Sequence, residues 1–190
     1  MKGCENERKE VAILFADIRS FTAITEKLEA KEVVSMLNQF FDAMADMIFK
    51  NTGILDKFVG DQLMIVFGLI PSKNNNSYDA IHAAIKMQDA TEKLMKVRAK
   101  QDKDIFEIGI GINTGSAIVG NLGSKSRMDY TAIGDSVNVA AKLQQIAKGG
   151  KIIIGEKTYR QSQDNFRMKN KLKLHLKNKT EPVIYYEVSR

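Results

Sequence analysis

Tryptophan is absent from this sequence, cysteine occurs once and proline twice. With Cys4 the one thiol, no disulfide can form within the chain. That excludes a small disulfide-stapled scaffold and leads to the expectation of a reducing compartment. Long hydrophobic runs are missing as well. The longest, "LMIVFGLI" at 63–70, has eight residues, far short of the roughly 20 that a helix needs to cross a bilayer. Met1 to Glu10 is polar and charged, unlike the apolar core of a secretory leader. These absences lead us to expect a cytoplasmic domain that makes no membrane contact of its own. Any membrane attachment of the intact protein would then come through a preceding N-terminal region.

The rest is ordinary for a globular domain: 190 residues, 44% hydrophobic and 27% charged, enough for one sizeable core. The net charge of +6 is concentrated at one end. Residues 165–190 hold seven Lys and Arg against Glu181 and Glu187, which is +5 of the +6. A basic tail can bind polyanions or be a solvated face. An RNA-reading sheet also displays aromatic residues for base stacking, and "IGIGINTG" at 108–115 has none. No nucleic-acid partner is expected.

The pattern along the chain predicts an α/β (α+β) fold: helices packed on a mainly antiparallel sheet. "VAILFA" (11–16) reads as a buried strand that delivers Asp17 at its C-terminal end. Val33, Leu37, Phe40, Met44 and Met47 recur at helical spacing, with Gly53 closing the helix. "ILDKFV" and "QLMIVFG" flank Gly60-Asp61 as a hairpin. The polar "SKNNNS" is a loop before a second helix on Ala80, Ala84, Met87, Ala90 and Leu94. "IFEIGIGI", "SAIVGNLG" and "MDYTAIG" read as three strands separated by turns. A helix from about Asp135 to Ala147, N-capped by Asp135, precedes the strand "KIIIG". A short helix near 155–162 and strands near 172–177 and 183–188 complete one domain over 11–190, with 1–10 as an N-terminal extension or linker.

Two aspartates stand out by position. If the hairpin lies beside the first strand, Asp17 and Asp61 meet at one edge of the sheet. Each alone is unremarkable, since an Asp in a Gly-Asp turn is usually a turn former. As a pair they are hard oxygen donors suited to Mg²⁺, which takes waters and phosphate oxygens as the rest of its shell. After Asp17 the chain runs "IRSFT", a strand-to-helix turn whose amides at Phe21 and Thr22 are placed to cradle phosphate, with Arg19 as an added charge. Lys57 lies four residues before Asp61, an even spacing that puts both on one face of a strand. Asn138 and Lys142, also four apart, share one face of a helix; they are either a solvated pair or two groups that reach a nucleotide.

"LFADIRSFT" (14–22), "ILDKFVGDQLMIVFG" (54–68), "IGIGINTG" (108–115), "YTAIGDSVNVAAKL" (130–143) and the ending "LKLHLKNKTEPVIYYEV" resemble, in order, the signature segments of class III nucleotidyl cyclase catalytic domains. The resemblance implies a ferredoxin-like cyclase fold and a homodimer with two active sites at the subunit interface. It implies two divalent metals, Mg²⁺ or Mn²⁺, on Asp17, Asp61 and the carbonyl of Ile18. Lys57 and Thr131, from the partner chain, match the pair that recognises the purine, and Asn138 matches the residue that orients the ribose. Lys142 falls where the family usually has an arginine that stabilises the transition state. Lys177, or Lys179 beside it, matches a lysine on the triphosphate. Neither His82 nor His175 matches a catalytic position.

A lysine–threonine pair resembles the adenylyl members: Lys57 can donate to adenine N1, and the Thr131 hydroxyl can meet the exocyclic amine. The expected reaction is ATP to 3′,5′-cyclic AMP and pyrophosphate. The alternatives are a guanylate cyclase, because a threonine hydroxyl both donates and accepts, or a weakly active or non-catalytic nucleotide-binding module, because Lys142 replaces the arginine. Met1 to Glu10 is too short for a sensor, so a regulatory domain or partner is expected in the intact protein.

Overall fold

A computed structural model describes residues 6–124, 126–176 and 180–190. In chain order the elements are β1 (Glu7–Ile18), α1 (Phe21–Thr25), α2 (Ala30–Phe49), β2 (Ile54–Val59), β3 (Gln62–Phe67), α3 (Asn76–Ala99), β4 (Ile108–Ser124), β5 (Arg127–Ile133), α4 (Asp135–Ile146), β6 (Ile152–Gly155), α5 (Glu156–Ser162), β7 (Met168–Leu174) and β8 (Val183–Val188). They build one sheet in the order β2-β3-β1-β4-β6-β8-β7, with β5 paired to β4. Among the described residues only β4 and β6 run parallel, and every other pairing is antiparallel. The mainly antiparallel sheet with flanking helices is therefore as expected.

The continuous apolar run in β1 follows from burial on both faces. Ala12, Leu14, Ala16 and Ile18 pack with Met36, Phe40, Met44 and Ile48 of α2 and with Ala80, Ala84 and Met87 of α3. Val11, Ile13 and Phe15 point the other way, joining Met64 and Val66 of β3, Val119 of β4 and Ala140 of α4. Strand alternation then assigns Asp17 to the α4 side, with Ile13 and Phe15.

Several boundaries move. β1 starts at Glu7, ahead of the apolar run, because Glu7 to Glu10 are exposed yet pair with Ser116 to Val119 of β4. "IFEIGIGI" and "SAIVGNLG" are not two strands: β4 runs unbroken through Asn113-Thr114-Gly115, which pair with Ile13, Ala12 and Val11. Those turn-like residues have work inside the strand. Asn113 donates to the Ser136 carbonyl (3.1 Å), and buried Thr114 bonds Ser77 (2.7 Å) and Thr158 (3.0 Å). Gly134, not Asp135, is the residue before α4, and Asp135 opens the first turn. Thr52, not Gly53, takes the left-handed conformation after α2 (φ 60°), while the Gly53 amide closes on the Ile48 carbonyl at 3.0 Å. β7 begins at Met168, because its lysines 169, 171 and 173 are exposed and leave little apolar signal.

One glycine sets the depth at which α4 sits. A Cβ at Gly111 would lie 2.6 Å from the Gln144 Cα and 2.7 Å from the Ala140 carbonyl oxygen, so only a bare backbone lets the helix pack this close. Overpacking of this kind costs about 1–3 kcal/mol, which is roughly 2–12 °C in a domain of this size. Gly111→Ala is expected to lower the thermal midpoint by that margin, measured by circular dichroism.

Candidate active site

The β1–β3 register pairs Ala16 with Leu63, which sets Asp17 beside the hairpin tip, where Gly60 turns with φ 65°. Asp17 and Asp61 thus meet at one end of the sheet and hydrogen-bond each other. Burial, then the hydrogen bond and charge of Asp17, push the Asp61 carboxyl up to about 7, against the pull of the Asp61 and Ile18 backbone amides. Two carboxylates held this close share a proton unless a cation replaces it. Ile18, the last residue of β1, is buried and lies across from Ile108.

Three side chains brace Asp17. Arg19 Nη2 stands 3.4 Å from its Oδ2, and Gln144 Nε2 donates to the same oxygen at 3.2 Å. Gln62 in turn donates to Gln144 Oε1 at 3.1 Å. Gly109 is the β4 partner of Asp17, and a Cβ there would come within 2.8 Å of Arg19 Nε, so the guanidinium fills the space a side chain would take. The sequence reading missed both glutamines. Their signal was faint: Gln144 falls within the buried stripe of α4 that includes Ala140 and Leu143.

Lys57 and Thr131 come together within a single chain, through a residue the sequence reading passed over. Asp56 sits where β2 shifts register against β3, between Leu55 and Lys57. The side chain of Asp56 is 3% exposed. It accepts from Thr131 Oγ1 at 2.6 Å and from the Ala132 amide at 3.3 Å, and its other oxygen lies 3.5 Å from Lys57 Nζ. In the sequence Asp56 is only a carboxylate next to a strand lysine, and nothing there marks it as buried.

Asn138 and Lys142 lie on the exposed face of α4, opposite the buried Val139, Ala140, Leu143 and Gln144. The Lys142 ammonium bonds Gln145 Oε1 at 3.0 Å on its own helix, not either aspartate of the same chain. Phe21 and Thr22 open α1 directly after Ser20, which has φ 57°. Lys177 and Lys179 lie outside the described residues. His82 bonds Asn51 Oδ1 (2.6 Å) and stacks on Tyr78, while His175 is exposed. Large apolar side chains are exposed near the β2–β3 tip (Phe58 and Val59) and along β4 and β5 (Leu122, Met128, Tyr130).

The fold is that of a nucleotidyl cyclase catalytic domain. The chain belongs to the family described as "Adenylate and Guanylate cyclase catalytic domain", whose sequence model matches residues 4–188. It is 34% identical over 190 residues to an adenylate cyclase of Anabaena cylindrica, covering 95% of this chain and 37% of that protein. It is 35% identical to the terminal-differentiation specific adenylate cyclase of Dictyostelium discoideum, covering 95% of this chain and 9% of that protein. The chain thus spans well under half the length of these relatives. Among solved structures, the adenylyl cyclase CyaB from P. aeruginosa superposes with a TM-score of 0.94 at 35% identity, covering 98% of this chain and 97% of that one. The guanylyl cyclase Cya2 superposes with a TM-score of 0.92 at 32% identity, covering 97% and 94%. No helix among the described residues is long and apolar enough to cross a membrane.

Proposed function

We propose that the chain is an adenylate cyclase catalytic domain that converts ATP to 3′,5′-cyclic AMP and pyrophosphate at two sites shared between two copies. The observation that carries this reading is the convergence of Asp17 and Asp61 at one end of the sheet, where their carboxyl groups lie within hydrogen-bonding reach of each other. Two carboxylates, with no group of three or more potential His, Cys, Asp or Glu ligands among the described residues, fit a hard divalent cation that completes its shell with phosphate oxygens. The residues that would hold it are Asp17, Asp61 and the Ile18 carbonyl. When bound, Mg²⁺ or Mn²⁺, two per site, supplies acidity at the ribose 3′-hydroxyl and neutralises charge on the triphosphate.

The chain's own groups do the rest. Lys57 and Thr131 hold the base, Asn138 orients the ribose, and Lys142 meets the charge that grows on the α-phosphoryl oxygens as the 3′-oxygen attacks and pyrophosphate leaves. The amides of Phe21 and Thr22, and Lys177, hold the phosphates. Sharing between copies is supported by the outward position of Asn138 and Lys142 and by the exposed Phe58, Val59, Leu122, Met128 and Tyr130, an apolar surface of the kind a subunit contact covers. As an expected consequence, a regulatory domain or partner in the intact protein would act by changing how the two copies dock.

The test is cyclic nucleotide production by the purified protein with ATP or GTP and Mg²⁺ or Mn²⁺. Cyclic AMP with the higher kcat/KM for ATP is expected; a higher value for GTP would reassign the base, and no product from either would favour a binding module.

The metal requirement should depend on pH. A proton on Asp61, held at about 7, competes with the cation, so the half-saturating Mg²⁺ concentration should rise about tenfold from pH 8 to pH 6. The metal-free protein should follow the sign of the linkage. Its native state binds more protons than the unfolded chain between about pH 4 and 7, so its stability falls as pH rises through that window. Metal titrations and thermal melts at three pH values would check both trends.

A further inference from the structure

We propose that Asp56 fixes the direction in which the Thr131 hydroxyl points, and thereby makes the site read the exocyclic amine of adenine. This makes Asp56 a positioning residue for base specificity. The inference rests on the ATP reading above and adds the reason for it.

The argument is one of donor and acceptor count. An ionised carboxylate only accepts hydrogen bonds, and a threonine hydroxyl has one proton to donate and lone pairs to accept with. Among the described residues, the three groups bonded to or paired with the Asp56 carboxylate are all donors: Thr131 Oγ1 at 2.6 Å, the Ala132 amide at 3.3 Å and Lys57 Nζ at 3.5 Å. The proton of Thr131 is therefore committed to Asp56, and only lone pairs remain for a ligand. Taken alone, a threonine can read either an amine or a carbonyl. With Asp56 behind it, Thr131 accepts and Lys57 donates.

Adenine complements that pair, with its amine donating towards Thr131 and its N1 accepting from Lys57. Guanine opposes it twice. Its O6 would face the lone pairs of Thr131, and its N1–H would face the ammonium. A carboxylate with 3% exposure is costly to leave unpaired, so the arrangement resists the rotation of Thr131 that guanine would need. The register shift that places Asp56 between Leu55 and Lys57 is the backbone device that turns this carboxylate towards β5.

The experiment separates the amine from the rest of the base. Purine riboside 5′-triphosphate keeps N1 but lacks the exocyclic amine, so the ratio of kcat/KM for ATP to that for this analogue isolates the contact to Thr131. In the wild type the ratio should be about tenfold or more, within the range for a hydrogen bond made in a buried site. In Thr131→Val it should fall to near one; in Asp56→Leu, where the freed hydroxyl can still accept from the amine, the readout is instead the ratio of kcat/KM for GTP to that for ATP. That GTP-to-ATP ratio should rise about tenfold in Asp56→Leu, the worth of one hydrogen bond in a buried site. Asp56→Ala serves as the second variant if the leucine protein does not fold by circular dichroism, and it should raise the GTP-to-ATP ratio at least about fivefold.

A merely structural role would lower activity on both substrates alike and leave the ratio unchanged. That result, in a folded and dimeric variant, overturns the assignment of Asp56 while leaving the ATP reading in place. A wild type that prefers GTP overturns the ATP reading itself, and this inference with it.

Discussion

Asp17→Ala and Lys57→Ala proteins, each at least about 10²-fold less active than wild type, should recover about a quarter of wild-type specific activity when mixed in equal amounts. The two residues lie in separate parts of the chain's contribution. Asp17 belongs to the carboxylate pair at the end of β1, whereas Lys57 belongs to the Asp56–Thr131 cluster. In the proposed two-fold dimer each site would take the carboxylates from one copy and the base-reading cluster from the other. Within a mixed dimer one site then carries both substitutions and the other carries neither. Random pairing makes about half of the dimers mixed, and half of their sites intact. Cyclic AMP formation after mixing and re-equilibration, with dimerisation followed by sedimentation, gives the readout. If the mixture stays as inactive as its components while both variants fold and dimerise, each copy works alone and the shared-site reading fails. The loss at Asp17 follows from the several kcal/mol that a metal-held charge contributes, and that at Lys57 from about 3 kcal/mol for a hydrogen bond from a charged donor, at about 1.4 kcal/mol per factor of ten.

Lys142→Ala is expected to lower kcat about 10²–10³-fold while changing the KM for ATP by no more than about threefold. A cation that meets charge developing only in the transition state contributes to kcat and not to ground-state binding. The exposed Lys142 ammonium rests on Gln145 of its own helix, a weak contact that it can leave for a phosphate. Lys142→Arg should equal or exceed wild type, because a planar guanidinium offers two parallel donors where an ammonium is a flexible point charge. Steady-state kinetics on the three proteins decide the matter. If KM rises with kcat unchanged, Lys142 is a substrate-binding group; if nothing changes, it is a solvated residue and the transition-state charge is met elsewhere.

Much of this architecture was legible because burial leaves a periodic trace. The run at 11–16 marks a strand covered on both faces, and Gly60-Asp61 between two apolar runs marks a hairpin. Even the meeting of Asp17 and Asp61 followed from placing that hairpin beside β1. Misreadings arose where polar residues do internal work. Asn113, Thr114 and Gly115 look like a turn, yet they are strand residues whose polar groups are satisfied by Ser136, Ser77 and Thr158. Asp56 and Gln144 were passed over for a related reason: their partners, Thr131 and Asp17, are 75 and 127 residues away. Local pattern carries no trace of pairings that only the folded sheet creates. The exposed charges on β7 had the opposite effect, hiding the first residues of a strand behind lysines.

The unbroken course of β4 has a mechanical meaning. At about 3.3 Å per residue, its 17 residues form a beam roughly 55 Å long. One end holds Gly109 against Asp17, and the other holds the β5 arm with Thr131. A beam without a joint transmits torque. In the proposed dimer, twisting the arm of one copy against its neighbour would swing the carboxylate end at the same moment, so a signal applied at that contact would need no separate linkage to reach the proposed site.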